Sequence, residues 1–479
     1  VTAASVPLRT PRGTHRAAER LDLLRRPGWL VAATVLCVGV PPDRPASESG
    51  VQITAGDCAS ALLVAAAAFL LVTRRLDLPR QALLAFGPLT AALGLTTVCS
   101  ADIAASMPGF LRDAQIFVLV PLAVVLLVRE RRDLAIVCAA VLALGLGEAC
   151  YGIWQAGTRN GASIGGQTIR AVGTFGAVDV MAMAVVTGFA FLVLTALALA
   201  APSRGPVAVL AALAGLAVLA AGLLLALSRG SWLALGAAVA VVLVLFDRWV
   251  ALRTLVCGAA LLLVAVTALG GGGGAQAVLA RTRSIAASAH APDQSVSDRY
   301  NLWAAALRIW EDHPGTGVGV KNFPAYRDTY ASIELSSGSE TEDPVNGYVR
   351  QPLLSPHNQY LLVLSEQGAA GFAGFAALFA AILAGLWTRR RVRDPFWLVA
   401  AGFMTFLLTN FLYADMGGPT CVLTAVLIGI SAARAFGLHE AAPDRPAADR
   451  PGSGRRAPWW RGAGRHGAEP AGRHGAEPA

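Results

Sequence analysis

Four side chains have the type and setting to do chemistry. Arg170 falls in IRAVGTF, Arg229 in LSRGSW, Arg299 in DRYNLW and His357 in SPHNQY. Guanidinium groups stay charged at any relevant pH and grip phosphoryl oxygens bidentately. Histidine exchanges protons near neutral pH, and Pro356 restricts where the ring of His357 points. Together they describe a site for an anion with a proton transfer nearby. Arg229 alone carries less weight, because an arginine at a helix end also snorkels to water.

Several neighbours would support such a site. Gly173 lets the backbone approach closely, and Asp179 lies where it can pair with a cation. Asn358, beside His357, is a further candidate for substrate binding. Glu366 in LSEQGAAG and Asp415 interrupt or border apolar runs, where an acid is costly without a cavity or a partner. Helix–helix bonding and a part in the site both remain open for these two.

The elements that must position these residues are membrane helices. Of the 479 residues 55% are hydrophobic and only 14% charged, whereas a soluble domain carries about 25% charge. Apolar spans are expected at 28–41, 57–73, 81–99, 111–128, 134–153, 177–200, 207–227, 231–246, 254–270, 358–387, 395–413 and 417–434. The reading is an all-α, polytopic membrane protein with about 12 transmembrane helices and a large extracytoplasmic loop containing helical segments. With the N-terminus inside, 20 arginines face the cytoplasm, against five (Arg44, Arg112, Arg159, Arg170 and Arg229) in the short outer connections. That bias fixes the orientation, and an even number of spans returns the tail to the cytoplasm. The basic N-terminal residues 1–27 precede a first helix read as uncleaved.

Five regions follow: 1–27, a basic cytoplasmic N-terminus; 28–270, nine membrane helices; 271–357, the outer loop; 358–434, three more helices; and 435–479, a Pro/Gly/Ala/Arg-rich tail ending in a repeated GRHGAEPA. The tail has too little apolar surface to fold alone, and its His466 and His474 are repeat residues rather than metal ligands. In the loop, Tyr300, Trp303, Leu307 and Trp310 recur at helical spacing after a cap at Ser297 or Asp298, and His313-Pro314-Gly315 stops that helix. The stretch around Glu340–Asp343 reads as acidic and flexible.

Other function classes fit poorly. The net charge of +9 is spread between apolar runs, not gathered on one soluble face for a nucleic acid. The seven cysteines lie in or at the ends of apolar segments without a CxxC pair, so neither a zinc site nor a disulfide framework is suggested. The glycines of GTGVGVKNF lack the βα unit of a nucleotide loop. No paired carboxylates stand out for glycoside hydrolysis. A transporter shares the helix count and the intramembrane acids, but the halves show no clear repeat.

The sequence resembles the O-antigen ligase and polymerase family of bacterial membrane glycosyltransferases. The resemblance rests on RAVGTFG at 170–176, LSRGSWLAL at 227–235, DRYNLWAAALRIWEDHPGTGVGVKNF at 298–323 and SPHNQYLLVLSEQGAAGF at 355–372. It covers roughly residues 130–436. Many relatives place Asn in the segment after the GTF motif, where this chain has Asp179.

The resemblance implies transfer of an oligo- or polysaccharide from undecaprenyl pyrophosphate to an acceptor hydroxyl at the outer face of the cytoplasmic membrane. A glycan or glycolipid is the acceptor, membrane lipids are partners and nucleic acid is not. It implies that Arg170, Arg229 and Arg299 hold the pyrophosphate and that His357 assists the acceptor. Neither a cofactor nor a metal is expected, and direct attack would invert the anomeric centre. A repeat-unit polymerase, a non-catalytic glycolipid-binding protein and a transporter are the alternatives.

Overall fold

In the computed structural model the described residues are 26–41, 53–73, 76–164, 170–176, 179–200, 205–268, 294–335, 338–343, 347–351, 353–390 and 394–437. The chain divides into Val1–His439 and Glu440–Ala479. The second unit, most of the N-terminal segment and loop residues 271–293 lie outside the described residues, so the readings of the tail and the glycine run fall there.

The architecture is a helical membrane bundle. Its first helices are α1 (Gly28–Cys37), α2 (Ala55–Val72), α3 (Arg80–Val98) and α4 (Ile103–Ala114), which runs through a π-helical turn, Gln115–Leu119, into α5 (Val120–Leu127). Next come α6 (Arg131–Thr158), α7 (Ala182–Leu199), α8 (Pro206–Leu225), α9 (Arg229–Phe246) and α10 (Arg248–Ala268). The loop contributes α11 (Gln294–Asp312) and α12 (Phe323–Tyr330), and α13 (Gln359–Thr388), α14 (Pro395–Asn410) and α15 (Cys421–Ala435) complete the bundle.

Among the described residues, eight helices are long and apolar enough to cross a membrane, with α4, the π turn and α5 counted as one. The spans expected at 28–41, 395–413 and 417–434 form shorter apolar helices, α1, α14 and α15. At about 1.5 Å per residue, ten to 16 residues fall short of about 30 Å of hydrocarbon. Among the described residues, eight crossings therefore stand by length and composition.

The residues assigned to the cytoplasm gather at one end. Arg26 meets Glu130 at 2.5 Å, while Arg131 and Arg434 converge on Asp394 at 3.0 and 2.6 Å. Asp394 also caps α14 by accepting from the Phe396 amide at 3.2 Å. If this end faces the cytoplasm, reporter fusions after Arg131, Ala287 and Pro451 should read inside, outside and inside. An outside reading for the last would show that the number of crossings has the wrong parity.

At the opposite end the loop is more ordered than its composition indicates. Helix α11 begins at Gln294, ahead of the expected cap at Ser297 or Asp298, and stops at Asp312 before His313-Pro314-Gly315 as expected. Its buried stripe is Leu302, Ala306 and Ile309, packed with Val318, Phe323 and Leu353. Of the aromatic series, Tyr300 and Leu307 face outward. The acidic stretch read as flexible is a strand. β1 (Ser163–Ile164), β2 (Ser339–Asp343) and β3 (Gly347–Gln351) form an antiparallel sheet in the order β1-β2-β3. Ser163 pairs with Glu342 and Ile164 with Thr341, which ties the α6–α7 connection to the loop.

Helix α13, expected as one uninterrupted span, is broken at Gly368 (φ 62°, ψ −163°). The loop segment 313–319 fills the break. The Ala369 and Ala370 amides donate to the carbonyls of Pro314 and Gly315, at 2.8 and 3.0 Å. In return the amides of Val318 and Gly319 donate to the carbonyls of Ser365 and Glu366, at 3.2 and 2.7 Å. Backbone groups that a broken membrane helix would leave bare are thus paired, as a low-dielectric setting demands. The part of α13 beyond the break is about 20 residues long, or about 30 Å, enough to cross by itself.

Candidate functional site

The site is built around the turn between α14 and α15, residues 411–418. Gln359 at the start of α13 donates its amide to the carbonyls of Phe411 and Ala414, at 2.9 and 3.2 Å. Its side-chain oxygen accepts from the Met416 amide at 2.7 Å. Asn358 caps α13 by accepting from the Leu361 amide at 3.1 Å and donates to the Leu412 carbonyl at 3.3 Å. These contacts fix His357, which has a positive φ of 49°, against the turn.

His357 Nδ1 lies 3.5 Å from Asp415 Oδ1, with the histidine side chain 38% exposed and the acid 17%. Burial pushes the Asp415 carboxyl up. Hydrogen bonds from His357 and Ser355, with the charge of His357, outweigh this and hold it below the usual carboxylate range. Asp415 is therefore an anion at neutral pH. It orients the ring with Nδ1 inward and leaves Nε2 for a ligand.

Arg229 is the first residue of α9, not part of a free connection. Ser228 caps that helix, and a Cβ on Gly230 would come within 2.9 Å of Tyr413 Cβ, so the helix start packs directly on the 411–418 turn. Arg170 is buried, and its Nε donates to the Ala226 carbonyl at 2.5 Å. The Ala171 amide takes the Leu225 carbonyl at 3.1 Å and the Trp232 indole takes that of Leu223 at 2.9 Å. Together they satisfy the C-terminal carbonyls of α8, where a cation also complements the helix dipole. Arg170 thus shapes the turn that presents Arg229.

Asp179 precedes α7 and accepts from the Ala182 amide at 3.1 Å. It packs on Gly418, where a Cβ would fall 2.0 Å from its carboxylate oxygen. Burial pushes its carboxyl up to about 6, against backbone hydrogen bonds from Met181 and Ala182; Asp415 adds to the rise and Arg170 opposes it. Replacing Asp179 with Asn, which keeps the acceptor oxygen, should raise the melting temperature at pH 7.5. The gain should shrink as pH falls from about 6 towards 4, because the wild-type acid then protonates in the fold and the penalty disappears. A melting temperature unchanged or lowered at pH 7.5 would contradict this.

Arg299 lies on α11, the helix that meets the segment before α13. Four residues on, the Trp303 indole donates to the Pro356 carbonyl at 2.9 Å, next to His357. Glu366 is elsewhere. It is buried under the loop and accepts from the Phe323 amide at 3.0 Å, so it anchors the loop to α13. The turn accordingly gathers His357, Asn358, Asp415, Asp179 and the start of α9, with Arg170 behind it and Arg299 one helical turn from Trp303.

Sequence reasoning missed the residues that hold this arrangement. Gln155 of α6 accepts from the Gly173 amide at 2.9 Å and donates to its carbonyl at 3.0 Å. Glu148 accepts from the amide and hydroxyl of Thr174, at 2.9 and 2.7 Å. Arg112, counted only towards orientation, pairs with Asp57 and reaches the Gly418 carbonyl at 3.5 Å. A usable signal was present, since each is a polar residue in or beside an apolar run. Among the described residues no three His, Cys, Asp or Glu side chains form a metal-binding group.

Residues 214–376 match the family model described as O-antigen ligase. The chain carries an O-antigen ligase domain. The match starts inside α8 and ends inside α13, so the O-antigen ligase domain takes in Arg229, Arg299, the loop segment 313–319 and His357. Arg170, Asp179 and Asp415 lie outside it and meet it only in the fold. No curated protein matches the chain. The matched domain and the multi-pass helical bundle are consistent with a cell-envelope protein of the bacterial inner membrane.

Proposed function

We propose that the protein transfers an oligo- or polysaccharide from an undecaprenyl-pyrophosphate donor to an acceptor hydroxyl at the outer face of the cytoplasmic membrane. The observation that carries this reading is the His357–Asp415 pair at 3.5 Å, on a turn against which the Arg229 end of α9 packs. In the proposed step the acceptor oxygen attacks the anomeric carbon of the donor. The bond from that carbon to the pyrophosphate oxygen breaks, the configuration inverts, and the hydroxyl proton passes to His357 Nε2. Arg229 and Arg299 stabilise the charge on the departing lipid pyrophosphate, and Arg170 keeps Arg229 in place. The residues named need neither a metal nor a cofactor for this step. A polymerase would use the same groups with another repeat unit as the acceptor.

Arginine variants test the donor assignment. Arg229→Ala and Arg299→Ala should each weaken binding of the lipid-pyrophosphate donor and lower turnover by about 10²–10³-fold, the usual scale for one lost charge-stabilising donor. Lys should rescue only in part, because a point charge lacks the guanidinium fork. Donor affinity measured in nanodiscs decides the matter, and unchanged affinity in both Ala variants would remove these residues from the donor site.

A further inference from the structure

The loop segment 313–319 borders a cleft that the proposed chemistry does not use. It has a volume of about 250 Å³, and its walls include Cys99 and Ala101 from the α3–α4 connection and His313, Gly315, Thr316 and Tyr326 from the loop. The His313 and Tyr326 rings meet edge to face with centroids 5.8 Å apart. Neither ring nitrogen of His313, the Thr316 hydroxyl nor the Tyr326 hydroxyl has a hydrogen-bond partner among the described residues. Side-chain hydrogen bonds join the two loop helices beside the cleft. Tyr330 OH donates to Asp312 at 2.7 Å and Arg308 donates to the Tyr330 carbonyl at 2.9 Å, which locks α12 to α11.

The lining decides the class of ligand. It contains no Lys, Arg, Asp or Glu, so it offers no permanent side-chain charge to a phosphate or another ion. It presents an aromatic ring and several uncommitted donors and acceptors in a concave space, the combination that recognises a small amphipathic molecule rich in hydroxyls. Its volume lies just below the range of about 300–1,000 Å³ for drug-sized ligands, which suits one sugar ring. His313 follows Trp303 by ten residues, about 15 Å along the helix axis, so the cleft stands well away from His357.

We propose that this cleft is a glycan subsite, holding one neutral sugar ring of the polysaccharide at a distance from the anomeric carbon that reacts. Naming a glycan as the ligand rests on the transferase reading. Binding energy gained so far from the reacting atoms positions the chain without taking part in bond making.

The test is saturation-transfer NMR on the full chain in nanodiscs. The probes are methyl glycosides of glucose, galactose, mannose, rhamnose and N-acetylglucosamine, without lipid or pyrophosphate. At least one should receive saturation from the wild-type protein, with affinity falling at least tenfold in Tyr326→Ala and in Thr316→Val. Tyr326→Phe, which keeps the ring and its packing, guards against a folding artefact and should lose only part of that affinity. Gly236→Ala, whose Cβ would meet nothing within 4 Å, should bind the sugar as the wild type does. Absence of saturation transfer to all five probes, or equal transfer in Tyr326→Ala and Thr316→Val, would overturn the proposal. The assay requires no turnover, so failure of every lipid-pyrophosphate donor in a transfer assay is a separate result that bears on the transferase reading.

Discussion

Replacing His357 with alanine is expected to lower glycan transfer by about 10²–10⁴-fold, the usual scale for a general base, while donor binding stays near wild type. The arginines cannot accept a proton, whereas the neutral imidazole can. The geometry explains why this ring should matter more than its neighbours. Asp415 is held anionic 3.5 Å from Nδ1, so Nε2 is the nitrogen left to face an acceptor. The side chain is 38% exposed. His357→Gln separates two jobs, because glutamine can orient a hydroxyl but cannot take its proton near neutral pH. Nearly full activity of His357→Gln from pH 5.5 to 8 in a purified transfer assay would exclude base catalysis. Asp415→Asn should give a smaller loss, since it removes the orienting charge and keeps the acceptor nitrogen.

The second large effect is expected from a residue with no chemistry at all. Gly317 has a φ of +66°, and a Cβ there would lie 2.4 Å from the Glu366 carbonyl carbon and 2.5 Å from the Gln367 amide nitrogen. Both are backbone atoms that cannot move aside without undoing the join between the loop and α13. Left-handed backbone costs a residue with a side chain about 1–2 kcal/mol before any clash is counted. Gly317→Ala should therefore lower stability by about 2–4 kcal/mol, within the range of strained backbone and overpacked sites. Thermal unfolding in detergent reads this, and transfer should fall with it because Arg299 and His357 lose their common support. Gly236→Ala is the matched control, since its Cβ would meet nothing within 4 Å. A Gly317→Ala protein that melts with wild type would show that the loop and α13 are not joined as described.

The sequence made some of this legible and hid the rest for definable reasons. Apolar runs expose helices because hydrophobicity is a local property, and all of the expected spans contain a helix. Arg229 and His357 stand out in the sequence because a charge or an imidazole at the edge of such a run is conspicuous. The 411–418 turn was hidden apart from Asp415, because FLYADMGG has no chemical mark of its own and acquires its role from Gln359, Gly230 and Asp179, all remote in sequence. Arg170 was read as a pyrophosphate ligand, and its bond to the Ala226 carbonyl is a main-chain contact that no pattern announces. The glycines of GTGVGVKNF lack a preceding βα unit, and their structural role appears only when Gly368 breaks the helix they dock against.

That docking is made by four hydrogen bonds between main-chain groups. A seam of this kind is indifferent to most side chains along it, provided that the glycines remain. Thr316, which lines the cleft and donates none of these bonds, can then change without undoing the seam. If the cleft holds a sugar as proposed, a few substitutions in the loop would change which sugar it takes while the join to α13 stays in register.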